Sequence, residues 1–310
     1  MARVAIIDLG TNTFNLLVAE IAVNHSYKII FNTKIAVKLG EGGINSNIIA
    51  PVPFHRGIDA MKAHVETLKE YVPENIFAFA TSAVRSAKNG TEFVAEIRKQ
   101  TGIDVTVISG DKEAELIYAG VRQALDIGNN KALIMDIGGG STEFIICNKE
   151  QIFWKHSFDL GVSRMYEFFK HSEPITKEEI LKVDSYLRDK LQPLFIAAEL
   201  HQLDTLIGSS GSFDTFAEMI FCRFQEEEKM KNKTSYEFKL EDFYKIHNLI
   251  IHSNLDERYK MKGLIEMRVD MIVLASLFTN FILRELKLSK MRLSTYALKE
   301  GVLSEITKTV

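Results

Sequence analysis

Two short stretches of the chain each combine a leading aspartate with glycine and hydroxyl residues. One reads AIIDLGTNTFNLL at residues 5–17, and the other reads ALIMDIGGGSTEF at residues 132–144. Glycine lets a backbone approach a ligand closely, and successive N–H groups of a tight turn form a concave site that attracts an anion. The hydroxyl side chains add further donors, so phosphate is the ligand that both stretches fit. Neither stretch carries the lysine of a Walker loop.

The two stretches are copies of one pattern. When Asp8 is superposed on Asp136, Gly10 falls on Gly138. Either stretch alone is typical of an ordinary tight hairpin turn. The pair, in which each copy is headed by aspartate, instead indicates a duplicated domain. Two such turns facing each other across a cleft would hold phosphate groups from both sides.

The acidic residues of these stretches predict a metal site. Asp136 and Glu143 are separated by the second turn, which can bring both carboxylates toward the same opening. Carboxylate oxygens together with phosphate are the usual ligands of Mg²⁺, which retains several waters. We expect one Mg²⁺ ion to bridge these acids and the substrate, with Asp8 as a further ligand through water. The alternative for Glu143 is an exposed acid on a strand.

A third anion site is predicted at GSSGS, residues 208–212, where an apolar strand precedes a glycine turn and the start of a helix. The spacing differs from the G-x-S-x-G elbow of serine hydrolases, so Ser210 is not expected to be a nucleophile. No histidine pair has the spacing of a zinc protease motif, and His247 and His252 are expected to be surface or core residues.

The elements that position these residues alternate in the first half of the chain. Apolar and β-branched runs predict strands at 3–10, 16–23, 27–40, 76–81 and 105–108, and helical spacing predicts helices at 55–72, 91–102 and 111–125.

The second half is more helical. Periodicity predicts helices at 176–200, 213–231, 241–254 and 264–287. The charged run 226–235 is interpreted as a solvated helix end and loop. The alternation predicts an α/β fold with one domain at 1–126, completed by a C-terminal helix at about 297–310, and a second at 127–296.

Composition limits the classes of function. The chain has 310 residues and a formal net charge of -3, which provides no basic surface for nucleic acid. Cys147 and Cys222 are too few for a disulfide framework and favour a reducing compartment. The charged Asp8 interrupts any secretory signal, and the apolar run 271–283 is too short to span a bilayer. We therefore expect a cytoplasmic protein without membrane partners. A homodimer is compatible with the sequence.

Five motifs in order carry a resemblance to a known family: DLGTNTFNLLVAE, ATSAVRSAKNG, VISGDKEAELIYAGV, DIGGGSTEF and IGSSGS. Together they resemble the exopolyphosphatase and guanosine pentaphosphate phosphohydrolase family, in its short two-domain form. The resemblance implies two ribonuclease H-like domains of the actin, sugar-kinase and heat-shock-chaperone ATPase superfold, with a cleft between them. One departure is Lys299, where arginine is common in the family.

The resemblance also implies roles for single residues. Glu113 matches the family's general base, which accepts a proton from the attacking water; alone it is a first-turn acid suited to the helix dipole. Arg85 matches an arginine that contacts phosphate, since its forked guanidinium suits phosphoryl oxygens; alone it is a surface arginine. Arg268 and Asp270 resemble a family motif and are interpreted as an ion pair near the cleft.

The sequence therefore predicts a phosphohydrolase that uses Mg²⁺ and removes the terminal phosphate of inorganic polyphosphate, guanosine pentaphosphate, or both. The alternatives are an ATP-dependent kinase of the same superfold and a non-enzymatic nucleotide sensor or filament subunit. The residues expected to bind substrate are Gly10, Thr11, Asn12, Thr13, Gly138, Gly139, Gly140, Ser141, Thr142, Gly208, Ser209, Ser210, Gly211 and Ser212.

Overall fold

The structure is a computed structural model that describes residues 2–224 and 233–309. A five-stranded sheet is formed by the first half of the chain, in the order β3-β2-β1-β4-β5. Strands β1 to β3 are antiparallel neighbours, whereas β4 and β5 run parallel to β1. The elements of this half are β1 (Ala2–Leu9), β2 (Thr13–Ile21), β3 (Tyr27–Ala36), α1 (Pro51–Tyr71), β4 (Asn75–Ala80), α2 (Ser82–Ser86), α3 (Gly90–Thr101), β5 (Val105–Val107) and α4 (Gly110–Ala124).

A six-stranded sheet follows, in the order β10-β11-β9-β6-β7-β8. Its elements are β6 (Ala132–Ile137), β7 (Thr142–Cys147), β8 (Ile152–Phe158), α5 (Val162–Phe169), α6 (Lys177–Lys190), α7 (Gln192–Glu199), β9 (Thr205–Ser209), α8 (Gly211–Phe224), β10 (Ser235–Phe238), α9 (Leu240–Ile251), α10 (Leu255–Tyr259), α11 (Ile272–Glu285), β11 (Lys290–Ser294) and α12 (Leu298–Thr309).

The two sheets share one connectivity. In each sheet, three consecutive strands are antiparallel neighbours. A further strand, β4 or β9, pairs in parallel with the first of the three, and β5 or β11 then pairs in parallel with that strand. The second sheet carries one further antiparallel strand, β10, at its edge. This correspondence is what a duplicated domain predicts.

Several elements differ from the sequence-based expectation. The helix predicted at 176–200 is two helices, because Pro193 lies in the first turn of α7 and cannot continue the ladder of α6. The helix predicted at 264–287 begins only at Ile272, after a 3-10 turn at Glu266–Arg268. Residues 225–232 lie outside the described residues, so most of the predicted loop 226–235 does too, and Ser235 begins a strand.

Helices α4 and α12 lie between the two sheets. Their apolar residues join one buried cluster with β1 and β2 from one side and β6 and β7 from the other. The helices cross closely, because a side chain on Gly120 would collide with the backbone of Ala297, and one on Gly301 with the backbone of Leu116. The final helix thus packs against the first half of the chain, as its sequence suggested. No helix of the described residues is both long and apolar enough to cross a membrane.

Candidate active site

The two predicted phosphate turns are β-hairpin turns of matching geometry. In the first hairpin, the Gly10 N–H donates to the Thr13 carbonyl oxygen at 3.1 Å. In the second, the Gly138 N–H donates to the Ser141 carbonyl oxygen at 3.0 Å. The residues that superpose in sequence therefore occupy equivalent places in the two sheets.

The tips of the hairpins touch. A Cβ on Gly139 would lie 2.8 Å from Nδ2 of Asn12, and one on Gly140 would lie 2.8 Å from Oγ1 of Thr11. The hydroxyl of Ser163 also donates to Oδ1 of Asn12 at 2.7 Å. Only glycine fits the second tip at this separation, so these glycines allow the two halves to approach.

Both hairpins open into one cleft of about 430 Å³. Most of the residues predicted to form the site line this cleft together: Asp8, Gly10, Thr11, Asn12, Thr13, Glu113, Asp136, Gly138, Gly139, Gly140, Ser141, Glu143, Ser210, Gly211 and Ser212.

Four predicted residues lie behind the wall of the cleft. The hydroxyl of Thr142 donates to the Leu160 carbonyl oxygen at 2.9 Å, and the hydroxyl of Ser209 donates to Asp136 at 2.6 Å. Gly208 packs against the ring of Phe213. The fourth, Arg85, contacts the cleft through Glu113. The structure therefore gives these residues supporting positions.

Glu113 lies in the first turn of α4, whose N-cap is Ser109. Its Oε2 accepts a hydrogen bond from Nη1 of Arg85 at 2.7 Å, and the same nitrogen donates to the Ile108 carbonyl oxygen at 3.1 Å. Burial raises the pKa of Glu113 well above its usual value, the negative charge of Glu143 raises it further, and the Arg85 guanidinium opposes both. A basic carboxylate is thus fixed in the cleft wall.

Of the three predicted metal ligands, Asp136 and Glu143 are buried and Asp8 is half-buried. Asp136 and Glu143 are directly opposite each other in the β6–β7 ladder, as a hairpin between them predicts. Oε1 of Glu143 accepts a 2.6 Å hydrogen bond from Ser157, and burial raises the pKa of Glu143 to about 7. Burial also raises the pKa of Asp8 to about 6, although the Asn15 amide donates to its Oδ2 at 3.0 Å.

The acids of the cleft are chemically suited to bind Mg²⁺. Within residues 2–224 and 233–309, no group of three or more histidine, cysteine, aspartate and glutamate side chains is arranged to hold a metal. Mg²⁺ commonly takes only one or two carboxylates, together with phosphate and water. The raised pKa values of these acids mean that neighbouring groups compensate their ionised forms only in part, so a bound cation would favour ionisation. Asp136 and Glu143 therefore suit an ion that the substrate helps to bind.

Sequence reasoning missed a group of basic residues on the cleft wall. Lys34, Arg268 and Lys299 all line the cleft, and Lys299 lowers the pKa of Asp8 by its charge. Lys34 lies on β3, where alternation alone does not identify the face that meets a ligand. The sequence singled out Lys299 only as a departure from the family and Arg268 only as half of an ion pair, which indicated no ligand-binding role for either.

The predicted ion pair of Arg268 with Asp270 is wrong. Arg268 donates to the hydroxyl of Thr215 and faces the negative charge of Asp214, both on α8. Asp270 instead pairs with Lys38 of the first half at 3.6 Å. The two side chains therefore point to different partners, Arg268 toward α8 and Asp270 toward the first half of the chain. Of the two histidines, His247 is buried and His252 is exposed.

The chain is similar to known proteins over nearly its whole length. Residues 17–310 match the model of the Ppx/GppA phosphatase family. A Haemophilus influenzae protein named "Putative exopolyphosphatase" is 30% identical over 311 residues, which span 99% of this chain and 92% of that protein.

Solved structures agree. The crystal structure of an exopolyphosphatase from Cytophaga hutchinsonii has 39% identity and a TM-score of 0.96, covering 99% of this chain and 98% of that chain. A family member from Aquifex aeolicus, at 24% identity, shares the fold with a TM-score of 0.80 over 99% of this chain and 98% of its own. The predicted two-domain α/β fold of the actin-like ATPase superfold is thereby confirmed, and the chain belongs to the Ppx/GppA phosphatase family.

Proposed function

We propose that the protein releases the terminal phosphate of inorganic polyphosphate, of guanosine pentaphosphate, or of both. The Haemophilus influenzae and Cytophaga hutchinsonii relatives are named as exopolyphosphatases, and both match nearly the whole chain. Family membership supports a phosphohydrolase, and the relatives' names favour polyphosphate as a substrate.

The observation that carries the proposal is the position of Glu113. Its carboxylate lies in the wall of the same cleft that both hairpin turns enter. Hydrolysis of a phosphoanhydride requires a water molecule whose proton is accepted as the new P–O bond forms. A buried carboxylate with a raised pKa is a stronger base than an exposed one, so Glu113 is suited to accept this proton.

Charge in the cleft supports the binding of several phosphate groups. Backbone N–H groups of the hairpin turns supply donors from both halves, and Lys34, Arg268 and Lys299 supply positive charge. Phosphoryl transfer depends mainly on positioning and electrostatic stabilisation, because the transition state spreads charge over the phosphoryl oxygens. Arg85 lies outside the cleft lining and donates to Glu113, so its proposed role is to hold that carboxylate in place.

Magnesium is part of the proposal. Asp136 and Glu143 would hold the ion, with Asp8 acting through water. When bound, the ion supplies Lewis-acid stabilisation of the phosphate charge.

The test measures inorganic phosphate released from long-chain polyphosphate and from guanosine pentaphosphate, side by side, with MgCl₂ and without an acceptor. We expect steady release from at least one substrate and release about 1,000-fold slower from the Glu113→Gln variant. Absence of release from either substrate by the wild-type protein contradicts the proposal. Phosphate transfer from ATP that occurs only with an added acceptor identifies a kinase instead.

A further inference from the structure

Ser157 lies where the two halves of the chain meet beside the proposed base. It is a residue of β8 and stands directly opposite Glu143 in the β7–β8 ladder. Its hydroxyl donates to Oε1 of Glu143 at 2.6 Å. The strand register therefore fixes this side chain against a cleft acid.

The same hydroxyl faces the first half of the chain. Nη2 of Arg85 lies 3.5 Å from Oγ of Ser157, at the long end of the hydrogen-bonding range. A serine hydroxyl has one donor and two acceptor positions, so it can donate to a carboxylate and accept from a guanidinium at once. Ser157 thus links Arg85 of the first half to Glu143 of the second.

Packing around Ser157 brings in the helix that carries Glu113. Gly110, the first residue of α4, lies so close to Ser157 that an added Cβ would collide with the serine Cβ and lie 2.7 Å from its Oγ. Arg85 holds Glu113 and the Ile108 carbonyl oxygen with its other terminal nitrogen. The first turn of α4 therefore packs on Ser157 through Gly110 and is held by Arg85 through Glu113.

We infer that Ser157 is a positioning residue that holds the Arg85–Glu113 pair and Glu143 in one arrangement across the two halves. The inference rests on the proposed function, since it assigns Ser157 a part in the same reaction. Without the hydroxyl, Glu143 loses a donor and Arg85 loses its contact with β8. Glu113 and Glu143 then still repel each other, but no hydrogen-bonded group links them.

The contact between Lys155 and Glu115 provides a matched control. Lys155 lies two residues before Ser157 on β8, and it forms an ion pair with Glu115 of α4. Its replacement breaks a contact between the same strand and the same helix at a distance from the cleft groups. A purely structural role for the β8–α4 contact would make the Ser157 and Lys155 variants alike.

The first experiment measures steady-state phosphate release by Ser157→Ala and Lys155→Gln. Loss of a hydrogen bond to a charged group should lower kcat of Ser157→Ala about tenfold, with KM within about twofold of wild type. Lys155→Gln should keep both constants within about twofold. A normal kcat for Ser157→Ala, or a rise in KM alone, overturns the inference.

A double-mutant cycle with Arg85→Ala tests the route of the effect. If Ser157 acts through Arg85, the serine substitution should cost less than about threefold once Arg85 is absent. Equal costs in both backgrounds contradict the link.

Hydrogen exchange separates this inference from the proposed function, because it needs no activity. Amides of residues 110–114 should exchange about fivefold faster in Ser157→Ala than in wild type, and at the wild-type rate in Lys155→Gln. Unchanged exchange in Ser157→Ala overturns the inference even if the wild-type protein releases phosphate. A wild-type protein without phosphate release contradicts the function and leaves this measurement decisive.

Discussion

The two hairpins share one pattern of backbone hydrogen bonds but differ in the acidic residues that they carry. Asp8 and Asp136 occupy equivalent positions, but the residue across the ladder is Asn15 in the first hairpin and Glu143 in the second. The Asn15 amide donates directly to Asp8. In the second hairpin the facing residue adds a carboxylate, and serine hydroxyls from other strands are the donors.

From this difference we propose that the two copies have different roles in the reaction. The second hairpin concentrates negative charge suited to a cation, whereas the first has an amide in the equivalent place. The first half contributes Glu113 and Arg85 instead, from α4 and α2. One copy is therefore expected to hold the ion, and the other half to supply the base.

The largest effect is expected for Glu113→Gln. Loss of a general base should lower kcat about 1,000-fold, while KM changes little because glutamine keeps the size of the side chain. Steady-state phosphate release gives both constants. A variant with wild-type kcat would remove Glu113 from the reaction and leave the first half without its proposed contribution.

Paired substitutions in the hairpins test the asymmetry directly. Glu143→Gln removes an acid proposed to hold the ion and should lower kcat/KM about 100-fold at fixed Mg²⁺. Asn15→Ala removes one hydrogen bond, worth about 1 kcal/mol, and should lower kcat/KM about fivefold. Equal losses at the two positions, measured under the same conditions, would show that the hairpins are functionally equivalent.

The pH dependence of kcat/KM should also differ between variants of the two hairpins. Because the pKa of Glu113 is raised, its active, deprotonated form should be lost as pH falls through a midpoint well above the usual value of 4.5. Below that midpoint, kcat/KM should fall about tenfold per pH unit. Glu143→Gln removes a neighbouring negative charge and should shift the acidic limb to lower pH, whereas Asn15→Ala should leave it in place. An acidic limb of kcat/KM at the same pH in Glu143→Gln as in the wild type would contradict the electrostatic coupling of Glu113 with Glu143.

The smallest expected effect is on the melting temperature, Tm. Mg²⁺ that binds the folded state should raise Tm by about 2 °C, since ligand binding stabilises by mass action. The shift should disappear in Glu143→Gln and persist in Asn15→Ala, as measured by differential scanning fluorimetry without substrate. Persistence of the shift in both variants would place the ion elsewhere.

Local patterns in the sequence were sufficient for part of the site. The repeated Asp-x-Gly turns predicted both hairpins and the facing positions of Asp136 and Glu143, because a tight turn sets the register of its own strands. The start of α4 was likewise predicted within one residue, with Glu113 as an acid of its first turn.

The remaining part depends on contacts distant in sequence. Ser157 and Lys34 lie on strands β8 and β3, at the edges of their sheets, and nothing in their neighbouring residues marks the face that meets the cleft. Arg268 was assigned the wrong partner because its contacts lie on α8, more than 50 residues away in sequence. Pro193, in contrast, was a visible break in the predicted helix 176–200. Such contacts are set by tertiary packing rather than by local propensity.

The crossing of α4 and α12 has a consequence for synthesis. The apolar layer between the sheets needs Leu298, Val302 and Leu303 from the last helix, against residues of α4 made much earlier. Residues 298–303 must therefore be synthesised before the N-terminal half can complete its own interior. Until then the apolar side of α4 lacks its partner helix and stays exposed in the unfinished chain.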